Sequence, residues 1–118
     1  MLINLSNHPI ANWNEKQISA AMQYGELAEI PFPQIMPDAS ERDLNRLAAE
    51  YVDKIKSLGA NSEVTIHVMG EMTFTMRIVH RLKSLGYTCL ASTSERKVKD
   101  LGDGKKEVTF EFVQFREY

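Results

Sequence analysis

The chain has 118 residues, and 14 lysines and arginines stand against 16 aspartates and glutamates, for a formal net charge of −2. This length supports one hydrophobic core, so we expect one domain over residues 1–118. The balanced charge argues against a dedicated binder of duplex DNA, and the single cysteine, Cys89, excludes an internal disulfide and a cysteine-based zinc site.

The N-terminal part of the chain predicts two short strands on either side of a helix. Leu2–Ser6 is an apolar-rich run that ends before Pro9, since proline disfavours helix at the residue before it and lacks an amide donor. Apolar residues at helical spacing predict a helix over residues 14–24. Residues 27–30 then form a second strand, which Pro31 ends.

The middle of the chain predicts a long helix, a strand and another helix. Ser40 and Asp43 have the spacing of a capping box, and the helix behind them runs to Leu58. Apolar and polar residues alternate over residues 64–69, as in a strand. The following helix is expected to share one apolar face, formed by Met72, Met76, Val79, Leu82 and Leu85.

The C-terminal part predicts a strand at residues 87–91 and then a hairpin with its turn at residues 101–104. Strands that alternate with helices indicate an α/β fold, with a mainly parallel sheet flanked by helices and a C-terminal antiparallel strand. Ligands of such sheets bind beyond the carboxyl ends of the strands, where the strand order reverses. The segments after the first, third and fourth strands are therefore the candidate site.

The segment after the first strand offers Ser6, Asn7 and His8, which supply a hydroxyl, an amide and an imidazole. His8 has the chemistry of a general acid or of a donor to phosphate. The alternative interpretation is a solvated loop histidine, with Asn7 in a turn.

The segment after the third strand contains Gly70, Glu71 and Thr73 and leads directly into a helix. A glycine there lets a ligand approach the backbone, and the first amide groups of the helix favour an anion. The Glu71 carboxylate competes with a phosphate at this position. The alternative is that Glu71 or Thr73 caps the helix.

The segment after the fourth strand is the richest in groups that bind phosphate. Ser92, Thr93 and Ser94 offer hydroxyl donors, and Arg96 offers a bidentate guanidinium. The alternative is a polar hairpin strand that leaves the core.

Five other residues have chemistry that the sequence leaves open. His67 alternates with core residues in a strand and is expected to face a covering helix or solvent. Trp13 is either part of the core or a stacking surface for adenine, and Cys89 is expected to be a buried, inert thiol. Arg116 and Tyr118 either reach the same edge of the sheet or contact a partner chain.

Several classes of protein are excluded by patterns that the sequence lacks. There is no GxGxxG or GxxxxGKS/T pattern, which argues against dinucleotide-dependent oxidoreductases and P-loop NTPases. The three histidines lack a metal-ligand spacing such as HExxH, so we expect no metal site. No apolar run approaches the roughly 20 residues of a membrane span, and no basic leader precedes an apolar stretch. We therefore expect a cytoplasmic protein without membrane contact.

Four segments together resemble those of a known family: residues 4–9 (NLSNHP), 70–75 (GEMTFT), 91–96 (ASTSER) and 112–118 (FVQFREY). The chain resembles the small stand-alone CRISPR-associated proteins that handle cyclic oligoadenylate messengers in type III systems. These proteins include ring nucleases and messenger-sequestering proteins with a Rossmann-like fold related to CARF domains. The resemblance therefore implies a Rossmann-like, CARF-like fold.

The same resemblance implies a homodimer that binds cyclic tetra-adenylate across its two-fold axis. Such proteins either sequester the ring or cleave it without a metal or other cofactor, with the ribose 2′-hydroxyl as nucleophile. It also implies catalytic roles for Arg96, which would stabilise charge, and for His8 as the candidate acid. The implied ligand-binding residues are Ser6, Asn7, Gly70, Glu71, Thr73, Ser92, Thr93 and Ser94.

Two other functions stay open at this point. One is a different small-nucleotide or phosphometabolite module on the same fold, since a fold does not set a function. The other is a non-catalytic interaction protein whose edge strand, residues 108–115, pairs with a partner chain.

Overall fold

A five-stranded sheet organises the chain, and the computed structural model describes all of residues 1–118. The strands are β1 (Leu2–Ser6), β2 (Leu27–Glu29), β3 (Thr65–Met69), β4 (Thr88–Gly102) and β5 (Lys105–Glu117). The helices are α1 (Glu15–Met22), α2 (Glu41–Leu58) and α3 (Met72–Ser84). A short 3-10 turn at Ile10–Asn12 connects β1 to α1.

The strand order is β2-β1-β3-β4-β5, with β1 to β4 parallel and β5 antiparallel to β4. The predicted α/β fold, with helices flanking the sheet and a C-terminal antiparallel hairpin, is confirmed. β2 pairs with one edge of β1, and β3 pairs with the other edge. The direction in which successive strands are laid down therefore reverses between β1 and β3. This is the position at which α/β sheets bind ligands.

Two apolar clusters cover opposite faces of the sheet. The larger cluster packs under α2 and α3 and includes Ile66 and Val68 of β3, while the smaller one includes Leu2 and Trp13 on the side of α1. Successive side chains of a strand point to opposite faces. His67, between Ile66 and Val68, therefore projects toward the α1 side, as do the polar residues that follow Leu2 at alternate positions of β1.

Local sequence signals explain where the first two helices begin. The predicted capping box of α2 is present: the Asp43 amide donates to Ser40 Oγ (3.0 Å), and the Ser40 amide donates to Asp43 Oδ2 (3.1 Å). At the start of α1, the side-chain oxygen of Asn14 accepts from the Gln17 amide at 2.9 Å. Both caps satisfy amide groups that have no partner within the helix.

The prediction for the apolar face of α3 is wrong in part, because Met72, Met76 and Leu85 are exposed. Phe74 packs edge-on against the rings of Phe32 and Tyr51. The face of α3 that contains Phe74 is therefore directed toward the core, and the methionine face beside it is directed toward solvent. The buried residues of the helix are Phe74, Thr75, Ile78, Val79 and Leu82.

The fourth strand is much longer than the predicted residues 87–91. Only Thr65–His67 of β3 pair with the start of β4, and the rest of β4 pairs with β5 alone. We call residues 94–112 the hairpin arm, since they extend beyond the sheet. The arm raises the radius of gyration to 16.1 Å, against about 13.5 Å for a compact domain of this length.

The turn of the hairpin arm lies where the sequence predicted it. Gly102, Asp103 and Gly104 all adopt positive φ angles, which glycine tolerates without steric cost and aspartate tolerates better than most other residues. The segment from Ser92 to Arg96 belongs to β4, as in the hairpin-strand alternative, because the returning strand continues the ladder beside it. No helix of the structure is long and apolar enough to cross a membrane.

Candidate functional site

A polar cavity of about 340 Å³ opens on the α1 side of the sheet, beyond the carboxyl ends of β1 and β3. It lies at the reversal of strand order, the position predicted from the fold class. Side-chain amides form much of its wall, from Asn7, Asn12, Asn14 and Gln17. Because each amide both donates and accepts hydrogen bonds, the cavity suits a ligand with many polar atoms.

The structure brings four of the predicted site residues together at this cavity, namely Asn7, His8, Ser92 and Ser94. They come from two segments that lie far apart in the sequence and meet because β1 and β4 flank β3. Asn7 and His8 are exposed at the mouth of the cavity. The hydroxyl of Ser92 contacts the sulfur of Met69 at 2.9 Å.

Arg96 stands beside the cavity rather than in its wall. In the ladder between β4 and β5 it lies opposite Phe110, and Ser94 lies opposite Phe112. Directly opposed residues of an antiparallel pair project to the same face of the sheet. Since Phe110 and Phe112 both line the cavity, the guanidinium of Arg96 is placed on the cavity side of the hairpin arm.

The turn before α3 lies outside this cavity. The Glu71 carboxylate caps the helix: it accepts from the amides of Thr73 (2.8 Å) and Phe74 (2.9 Å) and from the Thr73 hydroxyl. The Thr73 hydroxyl, followed by these amides, holds the pKa of Glu71 below its usual value. The capping alternative is confirmed for Glu71, whose own carboxylate occupies the anion position of the helix. A side chain at Gly70 would collide with the ring of Phe32.

Two further predicted residues support the backbone near the site. Ser6 is buried, and its hydroxyl lies 2.8 Å from Asn4 Oδ1 and accepts from the His8 amide at 3.2 Å. Thr93 donates to the Gln114 carbonyl (3.1 Å) and accepts from the Gln114 amide (3.2 Å). Neither side chain lines the cavity.

Asn4, which is fully buried, organises a hydrogen-bond network beside the cavity. Its Nδ2 donates to Glu29 Oε2 (2.9 Å) and to the His8 carbonyl (3.1 Å). Both partners are acceptors only, so they fix the orientation of the amide. The opposite atom, Oδ1, therefore faces Ser6 Oγ and His67 Nδ1, each 2.8 Å away.

His67 is the polar residue of the site that the sequence analysis underrated. It is 1% exposed, lines the cavity and packs against the rings of Trp13 and Phe115, with centroid distances of 5.4 Å to each. Burial, and secondarily the nearby His8 imidazole, lowers the pKa of His67 from 6.5 to about 4. The ring is therefore neutral at pH 7.

The network also fixes which nitrogen of His67 carries the proton. Asn4 Oδ1 can only accept, so the neutral ring donates through Nδ1–H, and Nε2 carries a lone pair. Nε2 is buried and has no hydrogen-bond partner. The signal in the sequence was a histidine at a buried position of a short apolar strand, paired in register with another polar residue, Asn4.

The structure also shows the surroundings of three other residues, Trp13, Cys89 and Tyr118. Trp13 is 6% exposed and belongs to the core, and its Nε1–H donates to the His8 carbonyl at 2.9 Å. Burial raises the pKa of Cys89 to about 11, as expected of an inert thiol. The Tyr118 hydroxyl donates to the Val68 carbonyl, so the C-terminal residue reaches the sheet.

No group of three or more histidine, cysteine, aspartate or glutamate side chains is placed to hold a metal ion. The chemistry available at the cavity is that of amides, hydroxyls, two imidazoles and, at its side, one guanidinium. These groups bind and orient polar ligands and move protons, but they bring only one permanent positive charge.

A comparison with models of known protein families identifies the family of this chain. Residues 1–116 match the model of one family, described as the Uncharacterized protein MJ1673 family. Because this match covers nearly the whole chain, the protein belongs to that family. No curated protein and no solved structure matches the chain. Function must therefore be inferred from the residues and geometry of the cavity.

We expect His67 to make the stability of the fold depend on pH. Its pKa is about 4 in the folded protein and about 6.5 when unfolded, so between these values the unfolded chain binds more protons. The contribution of His67 to the free energy of unfolding is therefore fully present above pH 6.5. It decreases as the pH falls toward 4, by about 3 kcal/mol. Urea unfolding of the wild type and of His67→Phe at pH 7 and pH 4 measures the difference.

The matched control is His80→Phe, which removes an exposed histidine of α3. This variant should keep the pH dependence of the wild type, whereas His67→Phe should lose a large part of it. An equal pH dependence in all three proteins would contradict the assignment of a buried, neutral His67.

Proposed function

We propose that the protein binds a cyclic oligoadenylate in the polar cavity, as a type III CRISPR accessory protein of the kind that it resembles. The observation that carries the proposal is the meeting of Asn7, His8, Ser92 and Ser94 at one cavity, at the reversal of strand order. Amides and hydroxyls recognise base edges, ribose and phosphate oxygens, and the rings of the hairpin arm offer stacking surfaces. The parallel order of β1 to β4 supports the finer assignment to a Rossmann-like, CARF-like fold.

The placement of charge supports the catalytic roles implied for two residues. Arg96 projects on the cavity side of the hairpin arm, where a guanidinium can stabilise charge on a phosphate. His8 is exposed at the mouth, and its backbone is held by Asn4, Ser6 and Trp13. In cleavage, the ribose 2′-hydroxyl gives its proton to solvent water as its oxygen bonds to phosphorus, the bond from phosphorus to the 5′-oxygen breaks, and His8 supplies a proton to that oxygen.

We further propose that the protein is a homodimer whose interface includes the hairpin arm. The arm presents Val98, Val108 and Phe110 on one face, with exposed fractions of 47%, 44% and 69%. The other face is polar and carries the Lys97–Glu111 ion pair at 2.9 Å. A two-stranded ribbon is marginal in water unless its apolar face is covered.

A second copy of the chain would cover this face with the same stripe across a two-fold axis. Phe110 belongs both to the stripe and to the cavity wall, so pairing of the arms would place the two cavities near each other. A cavity of about 340 Å³ is at the small end for ligand sites. Two such cavities in symmetric positions suit a cyclic ligand with repeated nucleotides.

Titration calorimetry with cyclic tetra-adenylate, in buffer that contains a metal chelator, tests the ligand proposal. The wild type should bind the ring, and Arg96→Ala should weaken binding about tenfold or more, as expected for the loss of a charged hydrogen bond. Lys99→Ala is the matched control, because it removes the same charge from the opposite face of the arm. Its affinity should stay within about twofold of the wild type.

Chromatography of the same mixtures separates the two activities. Linear di-adenylate with a terminal cyclic phosphate identifies a ring nuclease, and intact ring bound to the protein identifies a sequestering protein. Absence of binding by the wild type would contradict the proposed function. Equal losses in Arg96→Ala and Lys99→Ala would show that the ligand does not lie at the cavity.

The dimer is tested by a pair of substitutions on adjacent residues of β5. Val108→Glu puts a charge into the apolar stripe, so it should convert the dimer to a monomer. Thr109→Glu puts the same charge on the opposite face of the arm and should leave the dimer intact. Light scattering on the two variants and the wild type measures the mass, and a monomeric wild type at high micromolar concentration would refute the dimer.

A further inference from the structure

The unpartnered Nε2 atom of His67 needs a physical explanation. Buried polar atoms are almost always hydrogen-bonded, because leaving one without a partner costs the free energy of its desolvation. His67 is 1% exposed, its Nδ1 is occupied by Asn4 Oδ1 at 2.8 Å, and its Nε2 has no partner. His67 also belongs to the cavity wall, so a ligand that enters the cavity and displaces the side chains covering Nε2 can supply the missing partner.

That partner must be a hydrogen-bond donor. Glu29 and the His8 carbonyl hold Asn4 Nδ2, which turns Asn4 Oδ1 toward His67 and places the ring proton on Nδ1. Nε2 then presents a lone pair, which attracts an N–H or O–H group and repels carbonyl and phosphate oxygens. Asn4, Glu29 and His67 belong to three neighbouring strands of the sheet, β1, β2 and β3. The sheet therefore holds this arrangement in place before a ligand binds.

The surroundings of His67 favour a flat, aromatic donor. Two aromatic residues of the hairpin arm, Phe110 and Phe112, line the cavity together with His67, and Phe112 packs against Phe115, whose ring contacts the imidazole. Aromatic walls suit a nucleobase better than a ribose or a phosphate. Among purines, adenine carries an amino donor at position 6, whereas guanine carries an oxygen acceptor there.

We propose that His67 determines base specificity by accepting a hydrogen bond from the 6-amino group of an adenine bound in the cavity. This inference rests on the proposed function and identifies which atom of the protein reads the base. The two imidazoles then have different roles. His67 binds the base at the buried side of the cavity, and His8 acts at the exposed mouth. A purine with oxygen at position 6 would place that oxygen against the lone pair of Nε2, and it could donate through its N1–H only if the base shifted in the cavity, so it should bind more weakly.

The test compares cyclic tetra-adenylate with cyclic tetra-inosinate, in which oxygen replaces the 6-amino group. The wild type should bind the adenylate ring about tenfold more tightly or better, as expected for a lost hydrogen bond and an acceptor facing an acceptor. His67→Phe, which keeps an aromatic ring but has no nitrogen, should reduce this preference to about twofold or less. The matched control, His80→Phe, should retain the full preference.

A spectroscopic measurement on the wild type does not depend on the variant folding. The ¹⁵N resonance of His67 Nε2 should move toward that of a hydrogen-bonded nitrogen when the adenylate ring is added, and should stay in place with the inosinate ring. If the wild type binds the adenylate ring while His67→Phe keeps the full preference, or while Nε2 does not respond, the role of His67 is overturned and the proposed function stands. If neither ring binds the wild type, the proposed function fails and this role fails with it.

Discussion

The hydrogen bond between Asn4 and His67 is the interaction on which the candidate site depends. It joins neighbouring positions of β1 and β3, the two strands between which the strand order reverses. Glu29 extends the network to β2 by holding the Asn4 amide. Because each polar atom of this network is buried or partly buried, loss of one partner would leave another unpaired, which makes the arrangement stable as a unit.

The network also holds the loop that carries the exposed groups of the site. The His8 carbonyl accepts from Asn4 and from the indole of Trp13, and the His8 amide donates to Ser6. These hydrogen bonds therefore fix the backbone of His8, while its imidazole remains exposed at the mouth of the cavity. Ser6, predicted to touch a ligand, holds this loop in position through its hydroxyl. Binding groups held in this way need little reorganisation when a ligand enters.

Local signals in the sequence were sufficient for most element boundaries and for the general place of the polar cavity. Ser40 and Asp43 predicted the start of α2, because a capping box depends only on residues three positions apart. Asn7 and His8 were predicted as site residues, because parallel strands bring their carboxyl ends to one edge of the sheet. The alternative that Glu71 caps α3 was visible in the sequence for a similar reason, because a cap depends only on residues two and three positions further along the chain.

The features that the sequence did not reveal depend on contacts between distant segments. The length of β4 depends on pairing with β5, which no pattern within residues 87–91 indicates. Met72 and Met76 have helical spacing, but the larger ring of Phe74 determines which face of α3 is buried. The importance of His67 depends on Asn4, 63 positions earlier, and only the register of β1 with β3 brings them together.

The most direct test is a ¹⁵N NMR titration of the His67 side chain in the free protein. We predict a single neutral form at pH 7, with the proton on Nδ1 and none on Nε2, and no charging of the ring until the pH approaches 4. A proton on Nε2 at pH 7, or a charged ring near pH 6, would contradict it. A proton on Nε2 at pH 7 would mean that Asn4 does not fix the ring, and either result would remove the neutral acceptor that the proposed recognition of adenine requires.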